Sequence, residues 1–164
     1  MKCPYNQYFK TTHMETVIKP IEILLVEDNE GDARLAQEAL KDSKVTNIIH
    51  HVYDGIEAMD FLHHQGNYKD AVRPDLILLD LNLPRKDGRE VLTEIKKDDN
   101  LKMIPVVILT ISSNEQDILK TYNLHVNCFI TKPLDFEQFL IVIHSIENFW
   151  LTIVSLPPNN QLNS

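Results

Sequence analysis

The chain has 164 residues, 43% of them hydrophobic, which is enough for one domain with a real core. Its formal net charge is −8, and the sequence contains no cluster of lysine and arginine residues. Both observations argue against a direct nucleic-acid partner. Two cysteines far apart in sequence, Cys3 and Cys128, indicate neither a disulfide framework nor a zinc site. The first residues lack the apolar segment of a signal peptide, so we expect a cytoplasmic protein.

Strands and helices are predicted to alternate along the chain after a leader, residues 1–19, that we expect to be an arm or disordered. The apolar runs predict strands at 21–26, 47–52, 76–79, 106–109 and 128–130. Helical spacing predicts helices at 31–41, 55–64, 87–97, 113–122 and from about residue 135. The order predicts one α/β domain at 20–150, a doubly wound (βα)5 flavodoxin-like fold with a five-stranded parallel sheet, and a C-terminal tail at 151–164.

Each helix carries apolar residues at a spacing that predicts one inward face. The expected inward residues are Leu35, Ala36, Ala39 and Leu40, then Ile56, Met59 and Leu62, then Val91, Leu92 and Ile95, then Ile118, Leu119 and Tyr122. Ser113 or Asn114 is expected to cap the fourth helix.

The last helix has two apolar stripes where a helix on a sheet needs one. Phe136, Phe139, Leu140, Ile143 and Trp150 form the first, and Val142, Ile146, Phe149 and Ile153 form the second. The second stripe has the spacing of a helix–helix seam and predicts a homodimer; the alternative is that the chain from Leu151 folds back over it. The stretch 139–156 is not predicted to span a membrane, because an acidic residue near its middle, Glu147, costs about 3 kcal/mol on insertion.

Polar side chains follow four of the predicted strands, where the working site of an open parallel sheet lies. Glu27 and Asp28 follow the first strand, Asp80 the third, Thr110 the fourth and Lys132 the fifth. Two like charges at about 4 Å repel by about 4 kcal/mol at an effective dielectric near 20, so the carboxylates need a cation. The ligand set suits Mg²⁺. The histidine pairs at 50–51 and 63–64 are expected at the surface or a sheet edge.

Beside a cation and a lysine, a carboxylate such as Asp80 is also a competent nucleophile toward phosphorus and can form an aspartyl phosphate. Lys132 and the metal would stabilise the charge on the phosphoryl oxygens, and the Thr110 hydroxyl could bond one of them afterwards.

Four segments together resemble the receiver domain of bacterial two-component response regulators over about residues 20–149. They are Leu25-Val26-Glu27-Asp28-Asn29, Leu78-Leu79-Asp80-Leu81-Asn82-Leu83-Pro84, Ile108-Leu109-Thr110 and Thr131-Lys132-Pro133. The resemblance implies that Asp80 is the phosphoacceptor. It also implies that Asp28, Asp80 and the backbone carbonyl of Asn82 bind the metal directly, with Glu27 acting through a water molecule.

The same resemblance implies a conformational switch formed by Thr110 and Phe129, and a phosphate-binding Lys132 that precedes a characteristically cis proline, Pro133. The segments VEDNEGDARL and DLNLPRKDG are similar to those of the stand-alone regulators paired with cyanobacterial phytochromes, which form dimers. The implied partners are a sensor histidine kinase, expected to be a phytochrome, and a downstream protein target or phosphotransfer protein. The protein would not be an enzyme in the ordinary sense, although it would catalyse its own phosphotransfer and slow dephosphorylation.

Three other classes of protein share parts of this pattern. A flavodoxin-like flavin carrier would need a phosphate-binding first loop, and the acidic residues 27–32 would repel a phosphate. A haloacid-type phosphatase would need an aspartate where Asn82 stands. A pseudo-receiver that binds partners without phosphorylation remains the alternative, because Ile111 replaces the small residue usual after the switch threonine and is expected to narrow access to the site.

Overall fold

The computed structural model describes residues 19–111 and 114–157. In this part of the chain five strands alternate with five helices: β1 Ile21–Val26, α1 Glu30–Lys41, β2 Asn47–Val52, α2 Gly55–Leu62, β3 Leu76–Leu79, α3 Gly88–Lys97, β4 Val106–Thr110, α4 Glu115–Asn123, β5 Cys128–Thr131 and α5 Phe136–Ile146. A short 3-10 helix, Gly66–Tyr68, follows α2, and a π-helix, Glu147–Ile153, continues α5. The predicted (βα)5 fold is confirmed.

All five strands are parallel and form one sheet in the order β2–β1–β3–β4–β5. The central strand β3 is buried along its whole length, as its uninterrupted apolar sequence predicts. Alternate strand residues point to opposite faces, so the sheet divides the core into two clusters. One cluster contains residues of α2 and α3 and the other contains residues of α1 and α5. The doubly wound arrangement places all five strand ends at one edge.

Polar side chains determine where the helices begin. Asn29 caps α1 by accepting a hydrogen bond from the Asp32 amide at 3.0 Å, so the helix starts at Glu30 rather than at Gly31. Asp54 caps α2, and Asp135 caps α5. Asp87 and Glu90 form a reciprocal capping box at the start of α3.

Two of the predicted inward residues face water instead. Ile56 in the first turn of α2 is 40% exposed, and Tyr122 in the last turn of α4 is 50% exposed. The helical period gives only the relative positions of residues, and at the ends of short helices it does not determine which of them reach the sheet. Ser113 and the side chain of Leu119 lie outside the described residues, and Asn114 precedes α4, where its carbonyl accepts the Ile118 amide.

The two stripes predicted for the last helix are not separate. Ile146, assigned to the exposed stripe, is buried in the same cluster as Ile143 and Trp150. Phe136, assigned to the inward stripe, is 53% exposed. The prediction was wrong because Ile146 lies three residues after Ile143, which places both on one face of the helix, and Phe136 lies in the first turn, where the helical period does not determine burial.

The chain beyond residue 150 contributes to the core, because Leu151 is buried and Val154 and Leu156 pack against the cluster that contains α5. The side chain of Ile153 is outside the described set. Among the helices that the structure describes, none is both long and apolar enough to cross a membrane.

Candidate functional site

The residues predicted to share one edge of the sheet do lie together. Glu27 follows β1, Asp80 follows β3, and Lys132 follows β5. Lys132 Nζ lies 2.9 Å from Asp80 Oδ2 and donates a second, short hydrogen bond to Glu27 Oε2. These side chains are almost completely buried, with exposed fractions of 3% for Lys132, 4% for Glu27 and 7% for Asp80. Residues separated by 105 positions in sequence therefore form one buried ionic cluster.

The charges of this cluster are set by burial and by mutual contact. Burial alone would lower the pKa of Lys132, but the hydrogen bonds and charges of Glu27 and Asp80 raise it above its ordinary value, so the ammonium stays protonated at neutral pH. The pKa of Glu27 is raised, because burial outweighs the opposing effect of Lys132. The single positive charge of Lys132 does not neutralise the carboxylates around it. A further cation would neutralise the remaining negative charge.

The geometry fits a hard divalent cation. Glu27, Asp28 and Asp80 each offer a carboxylate oxygen, and these oxygens lie within 4.8 Å of one another. Asp28 is exposed while the other two are buried, so the group is open to solvent on one side. Carboxylate oxygens without histidine or cysteine form a ligand set for Mg²⁺ or Mn²⁺. Asp28 and Asp80 would hold such an ion, which would neutralise part of the negative charge of the cluster.

Asn82 links the ends of β3 and β4, where Asp80 and Thr110 lie. Its backbone amide donates to Asp80 Oδ1 at 3.0 Å, which orients the carboxylate. Its side-chain amide donates to Thr110 Oγ1 at 3.2 Å, and Thr110 is fully buried at the end of β4. Phe129 is half-buried in β5, where it pairs with Ile108 and packs against the α2–α3 side of the core.

The peptide bond before Pro133 is trans, since no described peptide bond is cis. The expectation of a cis proline was therefore wrong. A proline tolerates either isomer, and trans is favoured by about 0.5–1 kcal/mol.

The loop between β3 and α3 is held by packing and by an ion pair that the sequence did not indicate. A Cβ on Gly88 would overlap the carbonyl oxygen of Asp80 and lie 2.7 Å from Leu81 Cα, so only glycine fits. Arg85, with φ of 63°, donates to the carboxylate of Asp54, which is 8% exposed. The loop that carries Asp80 and Asn82 is therefore tied to the start of α2.

The sequence also did not predict a third carboxylate beside Lys132. Asp32 Oδ2 in the first turn of α1 lies 3.1 Å from Lys132 Nζ. Its position four residues after Asp28 could have suggested this contact, because a helix that starts at the strand end keeps its first turn at the same edge.

The chain also matches known proteins. A family model, the response regulator receiver domain, matches residues 23–144. The chain is 53% identical over 138 residues to response regulator Rcp1 of Synechocystis sp. (strain ATCC 27184 / PCC 6803 / Kazusa), covering 84% of this chain and 94% of that protein. It is 41% identical over 133 residues to the probable methanogenesis regulatory protein FilR2 of Methanothrix harundinacea, covering 80% and 84%.

Solved structures of response regulators are also similar to this chain. The Mn(2+)-bound form of response regulator Rcp1 superposes with a TM-score of 0.83 at 52% identity, covering 85% of this chain and 100% of that one. The phosphorylated cyanobacterial phytochrome response regulator RcpA also has a TM-score of 0.83, at 55% identity and with the same coverage. The general mechanism of these domains is phosphorylation on an aspartate. The chain belongs to the response regulator receiver family and is similar to the cyanobacterial phytochrome response regulator RcpA.

Proposed function

We propose that Asp80 is the aspartate that accepts the phosphoryl group, in a reaction that requires Mg²⁺. The observation that carries this proposal is the position of its carboxylate, at the end of the central strand and 2.9 Å from the Lys132 ammonium. An oxygen of Asp80 forms the new bond to phosphorus. The bond from phosphorus to the donor histidine nitrogen breaks, and its electron pair leaves on nitrogen. Lys132 binds a phosphoryl oxygen and stabilises its charge.

The metal ligands in this proposal are Asp28, Asp80 and the backbone carbonyl of Asn82, with Glu27 acting through water. The support is the close approach of the three carboxylates and the oxygen-only ligand set. Asp28→Asn should weaken Mg²⁺ binding and phosphorylation together. Lys132→Ala should retain Mg²⁺ binding, because it removes a competing cation, and should still impair the response to phosphorylation.

Thr110 and Phe129 form the proposed switch. The Thr110 hydroxyl accepts the Asn82 side-chain amide, so a phosphoryl oxygen that engages this hydroxyl would change that contact. Phe129 lies on the neighbouring strand and is half-buried, so its ring can turn inward. A few kcal/mol of differential stabilisation is enough for such a two-state change.

The proposed donor is a sensor histidine kinase of the phytochrome type in the cytoplasm. This proposal rests on the similarity to Rcp1 and to RcpA, a phytochrome response regulator. The output would pass through a protein target or a phosphotransfer protein.

We also propose a homodimer through α5 and the π-helix that continues it. Ile141 and Phe149 are 55% and 51% exposed and lie two turns apart, which leaves apolar area for a second copy to cover. Ile141→Glu should give monomers in sedimentation, whereas Met103→Glu, a change at another exposed apolar residue, should not. Ile146 is unsuitable for this test, because it is buried in the core.

The phosphorylation experiment uses acetyl phosphate with Mg²⁺ and intact-mass spectrometry. The protein should gain one base-labile phosphoryl group, and Asp80→Asn should gain none, since an amide is not a nucleophile toward phosphorus. Asp135→Asn is the matched control, because Asp135 only caps α5 and asparagine caps equally well. Modification of the Asp80→Asn variant would refute the assignment. A parent protein that is never modified would support the alternative, a pseudo-receiver.

A further inference from the structure

Lys132 has more carboxylate partners than the proposed transfer requires. Its ammonium contacts Glu27, Asp80 at 2.9 Å and Asp32 at 3.1 Å. An ammonium has three N–H donors. All three can therefore be engaged by carboxylates before a phosphoryl group arrives, and one contact must be given up for Lys132 to bind a phosphoryl oxygen.

The three partners differ in how easily they can be released. Glu27 is buried, and its second oxygen accepts the Asn29 amide at 3.0 Å. Asp80 is the residue that becomes modified, and it too is buried. Asp32 is 37% exposed, so water can hydrate its carboxylate once the lysine has left. Releasing a partly exposed carboxylate costs less than leaving a buried one without a partner.

We propose that Asp32 is the exchangeable partner of Lys132, a positioning residue that holds the ammonium in the unmodified protein and is replaced by a phosphoryl oxygen when Asp80 is modified. The proposal rests on the proposed function, in which Asp80 is the acceptor. Asp32 takes no part in bond formation and acts only through the lysine.

The charge of Asp32 gives the exchange a measurable consequence. A phosphoryl group adds negative charge to the site, and Asp32 both repels that charge and competes with it for Lys132. Asp32 therefore favours the unmodified state. For a partly exposed ion pair the expected effect on phosphoryl-analogue affinity is about twofold to fivefold.

The test uses beryllium trifluoride, which binds a carboxylate oxygen as a phosphoryl analogue and allows an equilibrium measurement. Affinity is measured at saturating Mg²⁺ for the parent and for Asp32→Asn, which removes the charge and keeps the shape. Glu30→Gln is the control: it removes an exposed charge from the same turn of α1, and Glu30 is not among the described ion-pair partners of Lys132. Asp32→Ala repeats the test without an amide.

Asp32→Asn and Asp32→Ala should bind the analogue about twofold to fivefold more tightly than the parent, and Glu30→Gln should match the parent. Equal or weaker binding by both Asp32 variants would overturn the proposal. A purely structural role at the start of α1 would lower the free energy of unfolding without raising this affinity, and that result would overturn it as well. Failure of the proposed function is distinguishable, because Asp80→Asn would then bind the analogue as well as the parent does.

Discussion

Two corners of the molecule flank the acidic cluster and are built very differently. The first, the β3–α3 corner, comprises residues 80–88. The second, the β4–α4 corner, includes Thr110, Ile111 and Asn114 among the residues that the structure describes. In the first corner Leu81 is fully buried and the amide of Gly88 donates to the Leu81 carbonyl at 2.9 Å. In the second, Thr110 is fully buried, yet the next residue, Ile111, is 61% exposed.

The difference in packing indicates that the two corners have different roles. The β3–α3 corner surrounds the proposed acceptor with backbone contacts that have no room to move, which suits a carboxylate that must be held for reaction. In the β4–α4 corner the residue after the buried Thr110 is a large apolar one, Ile111, whose side chain lies mostly in water, and regions with few buried contacts rearrange at lower cost. We infer that the β3–α3 corner holds the proposed acceptor in position for reaction, and that the β4–α4 corner changes conformation in response.

The largest effect is expected from filling the space in the β3–α3 corner. Gly88→Ala places a Cβ against backbone atoms of Asp80 and Leu81, which cannot move without displacing the proposed acceptor. The free energy of unfolding should fall by about 3 kcal/mol, at the upper end for overpacking. Gly66→Ala is the control, since a Cβ there meets nothing within 4 Å and only the φ of 55° is unfavourable. It should lose about 1 kcal/mol in the same denaturant titration. Equal losses would contradict the packing argument.

The second prediction concerns the ion pair between Arg85 and Asp54 in the same corner. Its contribution to the free energy of unfolding depends on pH. Burial alone would raise the pKa of Asp54, but the amides of Glu57 and Ile56 and the Arg85 guanidinium hold it below its ordinary value of 3.8. Ionised Asp54 therefore contributes stability above that value, and the contribution is lost as the pH falls through the lower folded-state pKa. Arg85→Ala should destabilise the protein at pH 7, and the difference from the parent should shrink in acid.

Denaturation at a series of pH values from neutral to acid measures this difference. Arg34→Ala removes an exposed helical ion pair with Glu38 and serves as the control, with a small effect at every pH. A constant difference between Arg85→Ala and the parent across the series would show that the guanidinium does not act through Asp54.

The third prediction concerns the hydrogen bond that joins the two corners. Thr110→Val keeps the shape of the side chain and removes the acceptor for the Asn82 amide. The free energy of unfolding should fall by about 1 kcal/mol. Asn82→Ala removes the other end of the same bond, so the double variant should lose less than the sum of the single losses. Strictly additive losses in denaturation would mean that the bond contributes nothing.

The smallest effect on stability is expected at the exposed residue of the β4–α4 corner. Ile111→Ala should change the free energy of unfolding by less than about 0.5 kcal/mol, because the side chain is mostly in water. Phosphorylation by acetyl phosphate and the subsequent hydrolysis should both become faster, since a smaller side chain widens access. Met103→Ala, at a residue 62% exposed, is the control and should leave both rates unchanged. Unchanged rates in Ile111→Ala would refute the access argument.

Sequence patterns predicted the sheet better than they predicted the helices. The bounds of β1, β2 and β3 match the predicted runs, and β4 and β5 each extend one residue further. A strand buried on both faces needs an uninterrupted apolar run, which can be read directly. The inward faces of Ile56 and Tyr122 were wrong, because a short amphipathic helix leaves the orientation of its end residues to tertiary packing.

The histidine pairs show the same limit. His63 and His64 are exposed and His50 and His51 lie on the edge strand β2, as expected. The sequence did not indicate that His50 lies 2.7 Å from Glu22, a residue that is 6% exposed. These residues belong to neighbouring strands and are 28 positions apart, and no local pattern indicates their pairing.

The sheet and the set of polar residues at its edge follow from the sequence, because apolar runs define buried strands and parallel strands end together. Which carboxylates reach the lysine depends instead on tertiary packing. Asp32 is 100 positions from Lys132, and Asp54 is 31 positions from Arg85. Such contacts depend on how helices and loops pack over the sheet edge, which hydrophobic periodicity does not specify.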